Sequence, residues 1–392
     1  MVHDDNGEYF RVFDGNGPQP ILDPPASKSR SREKVNRLYH PCSTNLFLLR
    51  IELRYKSRTY SIGVDLGGTN LRIASYAAGM EFLDAILLPT RLSEGREAVV
   101  RDICEAIRGL ATKDYGALRL GGIGIGVPGP LELPEGVLRN PPNLYGWDGF
   151  NIRHAVESTL ACEVAIESDA NVAALAEQVL GAGRIHNVDS LCVLTLGTGV
   201  GSGFILNGQI WHGLTGMGGE AGHIIVQSQG GAPCGCGGNG CLEQYASATG
   251  VVRMARERMG VSAPATAFEV ALLARGGDPL AVSVFEKVGE ALAIALTGLI
   301  NTLNLPLYLL GGGVSEAWDF FSPTMFRELQ VRSYVYRLTQ PDILSPERLD
   351  RHRTYILGAQ LGPTAGLLGA CLLPFQNQKA SSLFSENLRI HE

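Results

Sequence analysis

Two segments of this chain share one design, and that duplication limits the fold more than any other feature. Tyr60-Ser-Ile-Gly-Val-Asp65 is a short buried-strand pattern that runs into the turn Asp65-Leu-Gly-Gly-Thr-Asn70, with Arg72 just beyond. Ser190-Leu-Cys-Val-Leu-Thr-Leu196 runs into Gly197-Thr-Gly-Val-Gly201 and returns through residues 203–208. A strand, a glycine-and-hydroxyl turn and a second strand, used twice, predict two related halves with a cleft between them. Around these units the pattern predicts a hairpin or meander over 60–90, a helix over 93–113, a strand over 121–127 and a helix near 150–160. A strand over 163–168 and a helix over 171–180 follow, then a long helix over about 281–303, a strand ending at Gly311-Gly-Gly-Val314 and a closing apolar helix over 354–373. Strands alternating with helices after an initial meander define the α/β class.

The expected organisation is a flexible extension over 1–58, a small α/β domain from 59–176 plus 355–374, a larger one over 177–354, and a flexible tail over 375–392. Residues 1–44 carry Asp, Gly, Pro, Ser and a mixed-charge run from Lys28 to Lys34 without apolar periodicity, whereas 46–55 is β-rich. A net charge of −6 offers no basic face to nucleic acid, so no nucleic-acid partner is expected. The longest apolar run, 291–310, is broken by Asn301, Asn304 and Pro306 and is too polar to span a bilayer. The N-terminal MVHDDNGEYF lacks the basic-then-apolar order of a signal peptide, and Cys42, Cys104, Cys162, Cys192 and Cys371 are scattered as reduced thiols would be. A cytoplasmic location is expected.

The run from Gly219 to Glu243 holds a metal-binding pattern. Cys234, Cys236 and Cys241 follow a C-x-C-x4-C spacing, with His223 eleven residues before the first, and Cys3His is a ligand set of structural zinc. Cys234 and Cys236 are too close for easy bridging, and three thiols cannot all pair. Gly235, Gly237, Gly238, Gly240 and Asn239 are expected to supply the positive φ angles that let so short a loop turn several sulfurs to one point. Glu220, His223 and Glu243 flank that loop and suit paired hydrogen bonds to vicinal sugar hydroxyls, with His223 serving metal and ligand through different ring nitrogens. His154, His186, His212 and His352 show no partner spacing and are assigned to surface or packing.

Asp65, Gly67, Gly68, Thr69, Asn70 and Arg72 in one half, and Gly197, Thr198 and Gly199 in the other, can clamp a triphosphate from both sides while leaving its γ-phosphoryl group exposed. Gly311, Gly312 and Gly313 offer bare backbone to adenine and ribose. No G-x-x-x-x-G-K-[ST] is present, which excludes a P-loop. Gly124-Ile-Gly-Val-Pro-Gly129 satisfies G-x-G-x-x-G, but Pro128 removes an N–H where pyrophosphate needs one and no helix is expected over 130–142. Asp169, in Ile166-Glu-Ser-Asp-Ala-Asn171, falls where a strand ends and a helix begins, so its carboxylate is placed to take a proton from a hydroxyl; Ser168 or Asp169 also suits the cap of that helix.

Taken in order, DLGGTN, GIGIGVPGPL, ESDAN, LGTGVGSG, the GGEAGH-to-GCLE metal signature, LLGGGV and the terminal LG-x-x-AGLLGA resemble the ROK family of repressors, open reading frames and sugar kinases, from about Tyr60 to Leu373. The resemblance implies the actin-like (ribonuclease H-like) two-domain ATPase fold, with ATP and Mg2+ as co-substrates and structural Zn2+. It implies transfer of the γ-phosphoryl to a hexose, glucose to glucose 6-phosphate first among the candidates. It further implies Asp169 as base, Mg2+ held by Asp65 through water, and sugar contacts from Gly129, Asn143, Ser168, Glu220, His223 and Glu243. Ser168 stands where the family usually has Asn, and this shorter donor leaves the hexose open. Expected partners are the hexose and further copies of the chain, as a homodimer or homotetramer. The alternatives are an N-acetylhexosamine or fructose kinase of the same family, a sugar-sensing repressor, for which the first sixty residues show no convincing helix pair, and a non-catalytic sugar binder, against which the intact turns argue.

Overall fold

The computed structural model describes residues 2–3, 9–10, 59–77, 81–141, 144–344, 349–350 and 352–387. The chain divides into two units, Met1–Pro41 and Cys42–Glu392. In the first, Val2–His3 pairs antiparallel with Tyr9–Phe10. The rest of the extension expected over 1–58, including the β-rich run 46–55, lies outside the described residues.

The second unit is built on two five-stranded sheets of the same order. β1 (Thr59–Leu66), β2 (Asn70–Ala77) and β3 (Glu81–Pro89) form an antiparallel meander. After α1 (Arg96–Ala111), β4 (Arg119–Val127) joins β1 in parallel. A short hairpin of β5 (Leu131–Glu132) and β6 (Val137–Leu138) and then α2 (Ile152–Leu160) lead to β7 (Ala165–Ser168), parallel to β4. The chain passes through α3 (Asp169–Val179) and α4 (Ala182–Ile185) into a second meander, β8 (Leu191–Leu196), β9 (Val200–Leu206) and β10 (Gln209–Ile210). Helices α5 (Glu243–Ala246), α6 (Ala248–Met259), α7 (Ala267–Arg275) and α8 (Pro279–Leu303) precede β11 (Leu307–Gly311), which joins β8 in parallel. α9 (Trp318–Arg332), α10 (Tyr334–Thr339), β12 (Tyr355–Gly358) and α11 (Ala365–Asn387) complete the unit. The orders β3-β2-β1-β4-β7 and β10-β9-β8-β11-β12 coincide, so the duplicated strand–turn–strand units sit at equivalent places in two equivalent sheets.

Local chemistry explains most boundaries. α8 starts at Pro279 behind Asp278, whose carboxylate accepts the N–H groups of Leu280 and Ala281, and it stops at Asn304 in the left-handed region. Thr266 and Glu269 form a capping box on α7. Two expectations fail at the C-terminus. Residues 355–358 form the edge strand β12, not the start of a helix, because Tyr-Ile-Leu pairs beside β11 and Gly362-Pro363 delays the helix to Ala365; the segment therefore belongs to the second sheet. The tail expected from 375 continues α11 to Asn387 instead. Pro374 lies inside that helix, its ring packed over Gly122, where a Cβ would lie 2.6 Å from it.

Between the sheets, α11 lies on the first and α3 on the second, and the two helices touch. Missing side chains permit this. A Cβ at Gly124 would sit 2.0 Å from the Ala370 carbonyl oxygen, and one at Gly369 would sit 1.8 Å from that of Val172. Gly124 and Gly126 of the G-x-G-x-x-G run are thus packing positions against α11 and α3, consistent with its rejection as a dinucleotide fingerprint, and Gly369 of AGLLGA likewise packs on α3. Overfilling such a contact costs about 1–3 kcal/mol or more. Among the described residues, no helix is long and apolar enough to cross a membrane.

Candidate active site

A cleft of about 380 Å3 takes one wall from Gly67, Gly68, Gly129, Ser168 and Asp169 and the other from Gly197, Thr198, Gly199, Glu220, His223 and Glu243. Both glycine-and-hydroxyl turns face it. In the first, the Gly67 N–H donates to the Asn70 carbonyl at 2.9 Å, Thr90 clamps the turn through the Gly67 and Thr69 carbonyls, and Gly68 and Thr69 stay exposed. In the second, the Gly197 N–H donates to Gly199 at 3.0 Å, while Ala248 and Thr249, at the start of α6, bond the Gly197 and Thr198 carbonyls. Beyond Thr198 a further cavity of about 710 Å3 opens between α6 and α7, with Arg253 and Arg256 on its rim.

Several expected residues stand back from the cleft. Gly311, Gly312 and Gly313 do not line it; Gly312, at φ 86°, packs against the end of β8, where a Cβ would lie 2.6 Å from the Leu196 oxygen. Thr69, Asn70, Asp65 and Arg72 are outside the lining as well. Arg72 donates to the Pro363 carbonyl at 2.7 Å and lies 3.9 Å from Asp65, so it ties β2 to the start of α11. Asn143 lies outside the described residues.

Asp169 is the first residue of α3. Ser168 caps that helix, its hydroxyl accepting the Asn171 N–H at 3.3 Å, while the Asp169 carboxylate accepts the Ala170 N–H at 2.7 Å. The helix thus begins two residues earlier than expected. The carboxylate is open to solvent on its cleft side yet closely surrounded elsewhere. Desolvation, reinforced by the charges of Asp65 and Glu220, pushes it up to about 7 despite the Ala170 hydrogen bond. Burial also raises Asp65, with Arg72 acting against it. A base accepts a proton only when ionised, so activity is expected to be low below about 7 and to rise as the pH passes through that value. The pH profile of kcat/KM checks this, and a flat profile through neutrality would remove Asp169 from the role.

On the opposite wall, Glu243 accepts the Val200 N–H at 3.1 Å, and this bond fixes the carboxylate against the second turn. A Cβ at Gly199 would lie 2.4 Å from that carboxylate, so the turn and the acid require each other. Burial raises the Glu220 carboxyl, with His223 opposing and Glu243 adding. One ligand atom each from His223, Cys234, Cys236 and Cys241 lies within 4.8 Å of every other. The Cys236 and Cys241 sulfurs are 3.6 Å apart and Cys234 Sγ is 3.7 Å from His223 Nδ1. Sulfurs bound to one tetrahedral zinc at about 2.3 Å sit about 3.8 Å apart, so the donor set fits. His223 Nε2 points the other way, 3.9 Å from Glu220 Oε2. Gly237 and Gly240 use positive φ in this loop, whereas Gly235, Gly238 and Asn239 do not, and a short Pro233–Asn239 bridge closes it.

Sequence reasoning missed Arg139, Asn140 and Ser202 in the cleft wall. Asn140, at φ 44°, belongs to the same Asn-Pro-Pro-Asn run as Asn143, which was the available signal. It also misassigned His212, whose Nε2 lies 2.5 Å from Glu167 Oε2 on the other half of the unit.

The profile of the ROK family matches residues 61–376. The chain is 35% identical over 340 residues to a glucokinase of Halalkalibacterium halodurans, an alignment covering 83% of this chain and 97% of the relative. It is similar to the ROK hexokinase from Thermus thermophilus, with a TM-score of 0.68 and 33% identity, over 82% of this chain and all of that one. It is also similar to a ROK glucokinase from Streptomyces griseus, solved in complex with glucose and AMPPNP, with a TM-score of 0.63 and 30% identity over 81% of this chain and 99% of that one.

Proposed function

This chain belongs to the ROK family, and from that premise we propose that it is an ATP-dependent hexose kinase, with glucose as the sugar and glucose 6-phosphate as the product. The observation that carries the reading is Asp169 at the start of α3, in a cleft between two glycine-and-hydroxyl turns and opposite Glu220, His223 and Glu243. The glucokinase relative and the neighbour solved with glucose and AMPPNP support the choice of glucose and ATP. Gly68, Thr198 and Gly199 present N–H groups to the phosphates, in turns closed by the Gly67 and Gly197 N–H groups. The cavity beyond Thr198 is the place for the nucleoside, with Gly311–Gly313 as bare backbone beside the second turn. Glu220, His223, Glu243, Gly129, Ser168 and Asn143 hold the sugar. A hydroxyl oxygen of the hexose then attacks the γ-phosphorus, the bond to the β-phosphate oxygen breaks, ADP leaves and the hydroxyl proton passes to Asp169.

Magnesium, when bound, neutralises the charge that develops on the phosphates; Asp65, an oxygen donor beside the first turn, is the residue to hold it. The Cys3His cluster takes structural zinc and sets the spacing of Glu220, His223 and Glu243. The first-sheet and second-sheet halves close over both substrates and expel water that would compete as acceptor. The reading is tested by ADP release from ATP and Mg2+ over glucose, fructose, mannose, N-acetylglucosamine and N-acetylmannosamine. Turnover is expected with glucose first. Sugar binding without turnover on any of the five would move the protein to the sugar-sensing repressor class, and turnover confined to an acetylated sugar would reassign the substrate.

A further inference from the structure

We propose that His212 is a positioning residue that couples the two walls of the sugar site through Glu167. The proposal rests on the kinase reading above and adds a residue that reading does not use. His212 follows β10 in the second sheet, whereas Glu167 belongs to β7 in the first, so the 2.5 Å contact between them spans the two halves. Glu167 is only 3% exposed. Its Oε1 accepts the Ser168 N–H and the Asn171 side-chain N–H, both at 2.9 Å. The carboxylate therefore fastens the strand-to-helix junction that carries Asp169, and His212 supplies its remaining partner.

The other end of the coupling is the loop that His212 begins. Its carbonyl accepts the Gly218 N–H at 2.8 Å, and the Thr215 carbonyl accepts the Leu133 N–H at 3.0 Å, a second tie from this loop to the first half. The Gly219 carbonyl is held by the Ser202 hydroxyl, and Glu220 follows at once. The proton-accepting wall and the sugar-gripping wall are thus joined by one imidazole and nine residues of braced loop, 212–220. Glu167 holds the His212 imidazole above its usual range, which favours the charged donor form in this contact.

The test compares His212→Ala, His212→Gln, Glu167→Gln and the His212→Ala/Glu167→Gln double variant in steady-state kinetics on both substrates, hexose calorimetry and thermal melting. His212→Ala is expected to lower kcat/KM for the hexose about 10–100-fold, as small misplacements of reacting groups do, with KM for ATP unchanged. Hexose affinity should weaken with it. His212→Gln, whose amide still donates, should recover most of the loss, and the double variant should be no worse than the weaker single variant, as for one shared network. Unchanged hexose kinetics and affinity in a folded His212→Ala protein would overturn the proposal. So would equal losses toward hexose and ATP that track a lowered Tm. If the wild type binds hexose without turning it over, the kinase reading falls instead, and the calorimetric comparison still decides the role of His212.

Discussion

Replacing Asp169 by asparagine is expected to cut kcat by about 10²–10⁴-fold while leaving hexose affinity nearly unchanged. The substitution keeps the shape at the start of α3, where Oδ1 accepts the Ala170 N–H at 2.7 Å and Ser168 caps the helix independently. What it removes is the ability to take a proton. Because the carboxyl is raised to about 7 in the wild type, the acid limb of the pH profile near that value should disappear in whatever activity remains. Calorimetry on the variant separates the two effects. A near-wild-type kcat would end the assignment, and a collapse of hexose affinity with kcat preserved would make Asp169 a sugar ligand only.

The second large effect is expected at the Cys3His cluster. Cys236→Ser should release zinc, weaken hexose binding by at least about tenfold and lower Tm, since loss even of a residue that only supports the metal's ligands costs about 10–100-fold in metal affinity. Cys236 is the informative choice because its side chain is exposed, whereas Cys234 and Cys241 are buried, so a serine there opens no cavity in the core. The link to the sugar is short. His223 turns Nδ1 toward Cys234 and Nε2 toward Glu220, and Glu243 begins α5 two residues after Cys241. Metal analysis alongside calorimetry decides the matter. A wild type that carries no zinc, or a zinc-free variant that grips hexose as before, would leave the four residues without a metal role.

Much of this site was legible without coordinates. The turns at Gly67 and Gly197, the cysteine spacing and Asp169 at a strand-to-helix junction are patterns of a few consecutive residues, and backbone conformation over a few residues follows from side-chain chemistry there. The same local logic overreached at 354–373, where an apolar run suits a buried edge strand as well as a helix, and only the partner strand β11 decides between them. It was incomplete at Gly311–Gly313, where Gly312 packs on the Leu196 backbone and the three glycines lie outside the cleft lining.

By itself, the sequence determined the α/β class and the duplicated halves, and it marked the Cys3His spacing and the strand-to-helix junction at Asp169, because each is written in short-range spacing. Only the tertiary structure decided that Glu167 meets His212, 45 residues away, that Gly369 lets α11 settle on α3, and that Arg72 donates to the Pro363 carbonyl. Those contacts join segments distant in sequence, and their partners are selected by how the two sheets and the helices between them pack, which no local pattern encodes.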